Sequence, residues 1–103
     1  MKKFILKFLW LEKSIAVALD QSVNDKITPV TEYFFWPRKD AWEEMKLALE
    51  MRPWISQTDS VLLLNQITEV INYWQEKGFM NIKKKDMELL KNRFPDCIFI
   101  GYD

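Results

Sequence analysis

Residues 4–19 read FILKFLWLEKSIAVAL, and this stretch decides the fold. From Phe4 to Leu11 the apolar residues alternate. Phe4, Leu6, Phe8 and Trp10 fall on one side of an extended chain, and Ile5, Lys7, Leu9 and Leu11 on the other. Period two with aromatic and β-branched residues predicts a strand with one fully buried face. Glu12, Lys13 and Ser14 form a polar break. Beyond it Ile15, Val17 and Leu19 take one face, and Ala16 and Ala18 the other. Two strands joined by about three residues make a hairpin. The small alanines leave room for another element to approach closely.

The segment DQSVNDKITPV (20–30) is polar and predicts a loop ending at Pro29, and TEYFFW (31–36) is an extended aromatic stretch stopped by Pro37. A first helix follows. Asp40 suits its N-cap, and Glu43 three residues on completes an acidic capping-box pattern. Trp42, Met45, Ala48 and Leu49 fall at helical spacing before Pro53. Ser56 or Thr58 caps a second helix, in which Leu63, Leu64, Ile67, Val70, Ile71 and Trp74 form one apolar stripe. Gly78 stands where a C′ glycine ends such a helix. A third helix is predicted over Lys84 to Arg93, with Met87, Leu90 and Phe94 inward and Pro95 after it. Cys97 to Ile100 is an apolar run that predicts a strand buried on both faces or nearly so. The expectation is one α+β domain over residues 1–103, in the order β-β-α-α-α-β. Its three-stranded sheet is covered by amphipathic helices.

Composition narrows the chemistry. The 103 residues include fifteen Lys and Arg, fifteen Asp and Glu, and no His. Histidine acid–base catalysis, histidine triads and His-ligated metals are thereby excluded. Cys97 is the single cysteine, so an internal disulfide and a CxxC motif are excluded, and its place in an apolar run reads as inert core. Gly78 and Gly101 are the only glycines, too few for a phosphate-binding loop. Glu12, Asp20, Asp25, Glu32, Glu43, Glu44 and Glu69 form no catalytic pattern. A carboxylate hydrolase would need two of them about 5–10 Å apart in a concave pocket. No enzyme activity, metal, cofactor or small-molecule substrate is expected.

No run of 18 uncharged apolar residues exists, so no membrane span and no membrane partner are expected. The start, MKKFILKFLWL, imitates a secretory signal. Lys7 breaks its apolar stretch, and Glu12 and Lys13 part it from the small residues Ala16-Val17-Ala18, so it reads as a strand instead.

Charge is balanced overall but not locally. Lys83, Lys84, Lys85, Lys91 and Arg93 stand against Asp86 and Glu88 alone. This cluster suits RNA phosphates, which lysines contact without reading sequence. Arg38 and Lys39, beside Trp36, form a second, smaller cluster that mixes cation and aromatic as single-stranded RNA sites do. Residues 53–82 carry Lys77 against Asp59, Glu69 and Glu76, a surface better suited to a protein neighbour. The competing readings are a solvated helix face for the lysines and, for Tyr33 to Trp36, an aromatic groove on a protein-binding adaptor.

The strings FLWLEKSIAVALDQ (8–21), PVTEYFFWPRKDAWEEMK (29–46), PWIS (53–56), LLNQITEVINYWQ (63–75) and FPDCIFIGYD (94–103) carry a resemblance that runs nearly end to end. The chain resembles the plastid-specific ribosomal protein 3 family, a small-subunit ribosomal protein of chloroplasts and cyanobacteria. The resemblance implies a structural constituent of the small (30S) ribosomal subunit, serving translation without catalysis or cofactor. It implies ribosomal RNA and neighbouring small-subunit proteins as partners. It also implies the chloroplast stroma, or the cytoplasm of a cyanobacterium, as the location. The absence of a transit peptide at the start of the chain fits a plastid-encoded or cyanobacterial copy. On this reading a neutral chain docks by one basic face and otherwise by protein contacts.

Overall fold

A computed structural model describes residues 2–11, 13–81 and 84–101, and of residues 2, 78–81 and 84 the backbone alone. Its elements are β1 (Lys2–Trp10), β2 (Ile15–Val23), β3 (Lys26–Pro29), β4 (Phe34–Trp36), α1 (Ala41–Glu50), α2 (Gln57–Asn81), α3 (Lys84–Arg93) and β5 (Ile98–Ile100). The α+β class and the three helices agree with expectation. The sheet does not: it has five strands rather than three, and the order is β-β-β-β-α-α-α-β.

The difference arises in residues 20–36. β2 continues to Val23, and β3 folds back on it with Val23 opposite Lys26 and Asp20 opposite Pro29. Asn24 and Asp25 make the turn at φ of 51° and 69°. Two central residues at positive φ give the hairpin turn whose twist matches the strands, and Asn and Asp tolerate that region. β3 is exposed along its whole length, so it has no apolar face to betray it. β4 then pairs with the start of β2, placing Phe35 opposite Ala16 and Trp36 opposite Ile15. Between them, the Val30 and Thr31 N–H groups both donate to the Leu19 carbonyl, at 2.8 and 3.1 Å. The Leu19 N–H donates to Thr31 Oγ1 at 3.0 Å. The threonine hydroxyl thus satisfies a backbone donor where the ladder is interrupted.

β1 lies between β2, antiparallel to it in full register, and β5, which runs parallel with Phe99 opposite Phe8. The parallel return follows from a crossover through all three helices. After β5 the chain turns at Gly101, φ +82°, where a Cβ would stand 3.0 Å from the Trp10 carbonyl oxygen. β5 is an edge strand, and Ile98 and Ile100 are each 42% exposed. The expected burial on both faces is therefore wrong, because β5 gains cover only on the helix side, through Phe99.

Leu6, Phe8 and Trp10 are buried with Ile15, Val17 and Leu19 against Met45 and Leu49 of α1, Ile67, Ile71 and Trp74 of α2, and Met87 and Leu90 of α3. Phe4 is half-buried at the margin and stacks on Trp54 with centroids 6.2 Å apart. Asp40 Oδ1 accepts from the Glu43 N–H at 3.0 Å and caps α1. Ser56 Oγ accepts from the Asp59 N–H at 3.0 Å and caps α2. α2 does not stop at Gly78 but runs on to Asn81. A lone glycine in a helix costs about 1 kcal/mol relative to alanine and does not by itself end the helix.

On the opposite face of the sheet, Lys7 reaches Asp20 at 3.1 Å and lies 5.4 Å over the Tyr33 ring. Ala16 and Ala18 are buried there. In the register they are flanked by Leu9, Phe35 and Lys7 rather than by a further layer.

Candidate nucleic-acid interface

Of the cations expected to meet phosphate, Lys83 lies outside the described residues and Lys84 is described by its backbone alone. α3 buries Met87 and Leu90, with Phe94 just beyond it, which leaves Lys85 and Lys91 exposed on its outer side with Glu88 between them in the sequence. Lys84 and Lys91 are seven positions apart, two helical turns, and so share one flank. Arg93 belongs to the other flank. Its Nη2 lies 2.8 Å from Glu69 Oε1 on α2, and its guanidinium stands 5.6 Å over the Phe94 ring. The same flank carries Asp86, whose carboxylate adds to burial in pushing the Tyr73 phenol above its ordinary pKa. Arg93 and Asp86 thus serve the seam with α2, and the cationic character of α3 rests on its lysines. Glu69 and Arg93 are 24 residues apart, so no local charge pattern announces this pair.

Arg38 and Lys39 are exposed on the turn between β4 and α1. The pairing of β4 with β2 brings this turn beside the β1–β2 turn. Ser14 from one turn, with Arg38 and Lys39 from the other, lines a cleft of about 480 Å³ that also includes Tyr33, Phe35, Glu32 and Glu44. Lys13, next to Ser14 and also exposed, adds a third cation at this end of the sheet. Sequence reasoning missed it. The signal that places it here is the register of Ile15 against Trp36, which exists only once β4 is known to be a strand.

Several other cations are committed within the fold. Lys3 pairs with Asp96 at 2.8 Å. Lys46 reaches Glu50 at 4.0 Å and lies over Trp42. Arg52 Nη1 donates to the Ala48 carbonyl at 2.8 Å and Nη2 to that of Val30 at 2.9 Å, tying the end of α1 to the chain before β4. Among the described residues no ion pair occupies Lys13, Arg38, Lys39, Lys85 or Lys91.

Exposed cations on one helix and at one end of a sheet are what a small α+β protein would use to dock on a phosphate-bearing partner. The relatives make that class specific. Residues 30–77 match the family model described as plastid and cyanobacterial ribosomal protein (PSRP-3 / Ycf65). The chain is 61% identical to small ribosomal subunit protein cS23 of Euglena stellata across all of both chains. It is 58% identical over 99 residues to the protein of that name from Mesostigma viride, covering 96% of this chain and 77% of the other. It is 48% identical over 101 residues to the probable small ribosomal subunit protein cS23 of Synechococcus sp. (strain JA-3-3Ab), covering 98% of each. This chain belongs to the plastid and cyanobacterial ribosomal protein family. The segment that matches the family model contains the Arg38–Lys39 turn and ends before α3.

Proposed function

We propose that this chain is a structural, non-catalytic constituent of the small ribosomal subunit of a plastid or cyanobacterium. In that setting it works in the chloroplast stroma or in the cyanobacterial cytoplasm, and residues 1–103 act as one docking unit. The observation that carries this reading is the 61% identity, end to end, to a small ribosomal subunit protein. A net charge of zero rules out docking by bulk attraction. Local cations then do the work: Lys83, Lys84, Lys85 and Lys91 on and before α3, with Arg93 reduced by its Glu69 partner, and Arg38 and Lys39 at the end of the sheet. The rest of the surface meets neighbouring ribosomal proteins.

The test is rebinding to small subunits stripped of the protein, across a salt series. The parent should co-sediment with the subunit. The triple variant Lys83/Lys84/Lys85→Ala should flatten the salt slope by roughly two to three, at about 0.7–0.9 per neutralised phosphate. An unchanged slope removes α3 from the RNA face. A protein that sediments alone removes the ribosomal role and favours a free adaptor.

A further inference from the structure

The geometry points to the cleft between the β1–β2 turn and the β4–α1 turn as the seat of one unpaired rRNA nucleotide, its base stacked on Phe35 and its phosphates held by Lys13, Arg38 and Lys39. The inference rests on the ribosomal role proposed above and specifies the form of RNA that this end of the molecule takes.

Phe35 is 39% exposed although it is the middle residue of β4. Its cross-strand neighbour is Ala16, too small to cover a phenyl ring. Phe34 and Trp36, on either side, pack against the core instead. Tyr33 already faces the Lys7 ammonium at 5.4 Å, so Phe35 is the ring with an open face in this cleft. Duplex RNA hides its base faces in the stack and presents phosphates and 2′-hydroxyls. A ring exposed beside cations gains nothing from such a surface. It gains a stacking partner from a base splayed out of a loop or bulge.

The charges agree with a nucleotide rather than a bare phosphate. Glu32 and Glu44 line the same cleft as Arg38 and Lys39. Carboxylates repel phosphate but accept from the N–H donors that bases carry on their pairing edges. The cations take the backbone, with Arg38 able to hold a phosphate by two parallel hydrogen bonds. The size fits as well. A cleft of about 480 Å³ lies in the range of single small-ligand sites and is far too small to enclose a helix.

The experiment irradiates small subunits that carry the protein, at wavelengths giving zero-length crosslinks, and maps peptide–nucleotide adducts by mass spectrometry. The expected adduct joins the Tyr33–Phe35 peptide to a nucleotide that is unpaired in the rRNA. Phe35→Leu keeps an apolar side chain on β4 and removes the ring. It should abolish the adduct and weaken rebinding to stripped subunits by roughly 5- to 150-fold, the range for loss of one base–aromatic stack. Lys13/Arg38/Lys39→Gln should flatten the salt slope by about two to three. Thermal melting of both variants should match the parent. If the protein co-sediments but Phe35→Leu rebinds like the parent and adducts form only on other peptides, the nucleotide seat is refuted and the ribosomal role stands. If the protein does not co-sediment, the ribosomal role is refuted and the seat falls with it.

Discussion

Trp74 closes the α2 side of the core with 9% of its surface exposed. Its indole N–H has no hydrogen-bond partner among the described residues, and neither do those of Trp10 and Trp36. These rings contribute volume rather than polar contacts. Trp74→Ala should therefore cost about 3–5 kcal/mol in a denaturant melt, and Trp74→Phe should recover most of it. Cys97 is set by burial in the opposite sense from a reactive thiol. Desolvation, then the neighbouring Asp96 carboxylate, push its pKa up to about 12 from an ordinary value of 9.0. Between those values the folded thiol keeps its proton and the unfolded one loses it, so stability falls as pH rises through that window. Denaturant melts of Cys97→Ala should show a shallower loss of stability above pH 9 than the parent. At pH 8 the native thiol should react with an alkylating agent far more slowly than the unfolded chain does.

Helix α1 depends on its first turn. The Asp40 carboxylate satisfies one of the N–H groups that the helix start leaves without an intrahelical partner. Asp40→Ala should lower stability by about 1 kcal/mol, seen as a drop in the thermal midpoint. Helix α3 is held to α2 by buried Met87 and Leu90 and, at its rim, by Arg93 and Glu69. Both of those side chains are largely exposed, 68% and 48%, so the pair itself contributes at most about 1 kcal/mol. Its larger effect is on charge. Glu69→Gln should leave the melt within about 1 kcal/mol of the parent. By freeing Arg93 it should steepen the salt slope of subunit rebinding by up to about one.

The whole molecule is two layers, 20 Å in its shortest dimension, with every helix on one side of the sheet. The other side presents Ile98 and Ile100, with Ile5 and Leu9 beside them, around the internally paired Lys7 and Asp20. A protein with an exposed apolar face and no net charge keeps itself apart from its copies poorly. The isolated chain should be least soluble near its sequence pI of about 6.3, and light scattering across pH should rise there. Bound to its subunit it should not show this maximum.

Period two in residues 4–19 and the 3.6-residue stripe from Leu63 to Trp74 were enough to establish a hairpin packed on helices. Both patterns record one-sided burial, which is a local property of the chain. α3 was legible from Lys84 to Arg93 for the same reason, and the family could be read from its strings. Burial could not reveal β3, since an exposed edge strand has no apolar face. Its turn chemistry at Asn24-Asp25 was the available sign. The exposure of Ile98 and Ile100 was likewise hidden, because an apolar run does not say which strand lies at an edge. The charges divide most sharply. The cations of residues 83–93 are neighbours in sequence and were visible there. Ser14, next to Lys13, lines one cleft with Arg38 only because β4 pairs with β2, and Arg93 meets Glu69 only when α3 packs on α2. Local periodicity is written into a chain one residue at a time, whereas the meeting of distant charges depends on strand register and helix packing, which exist only in the folded molecule.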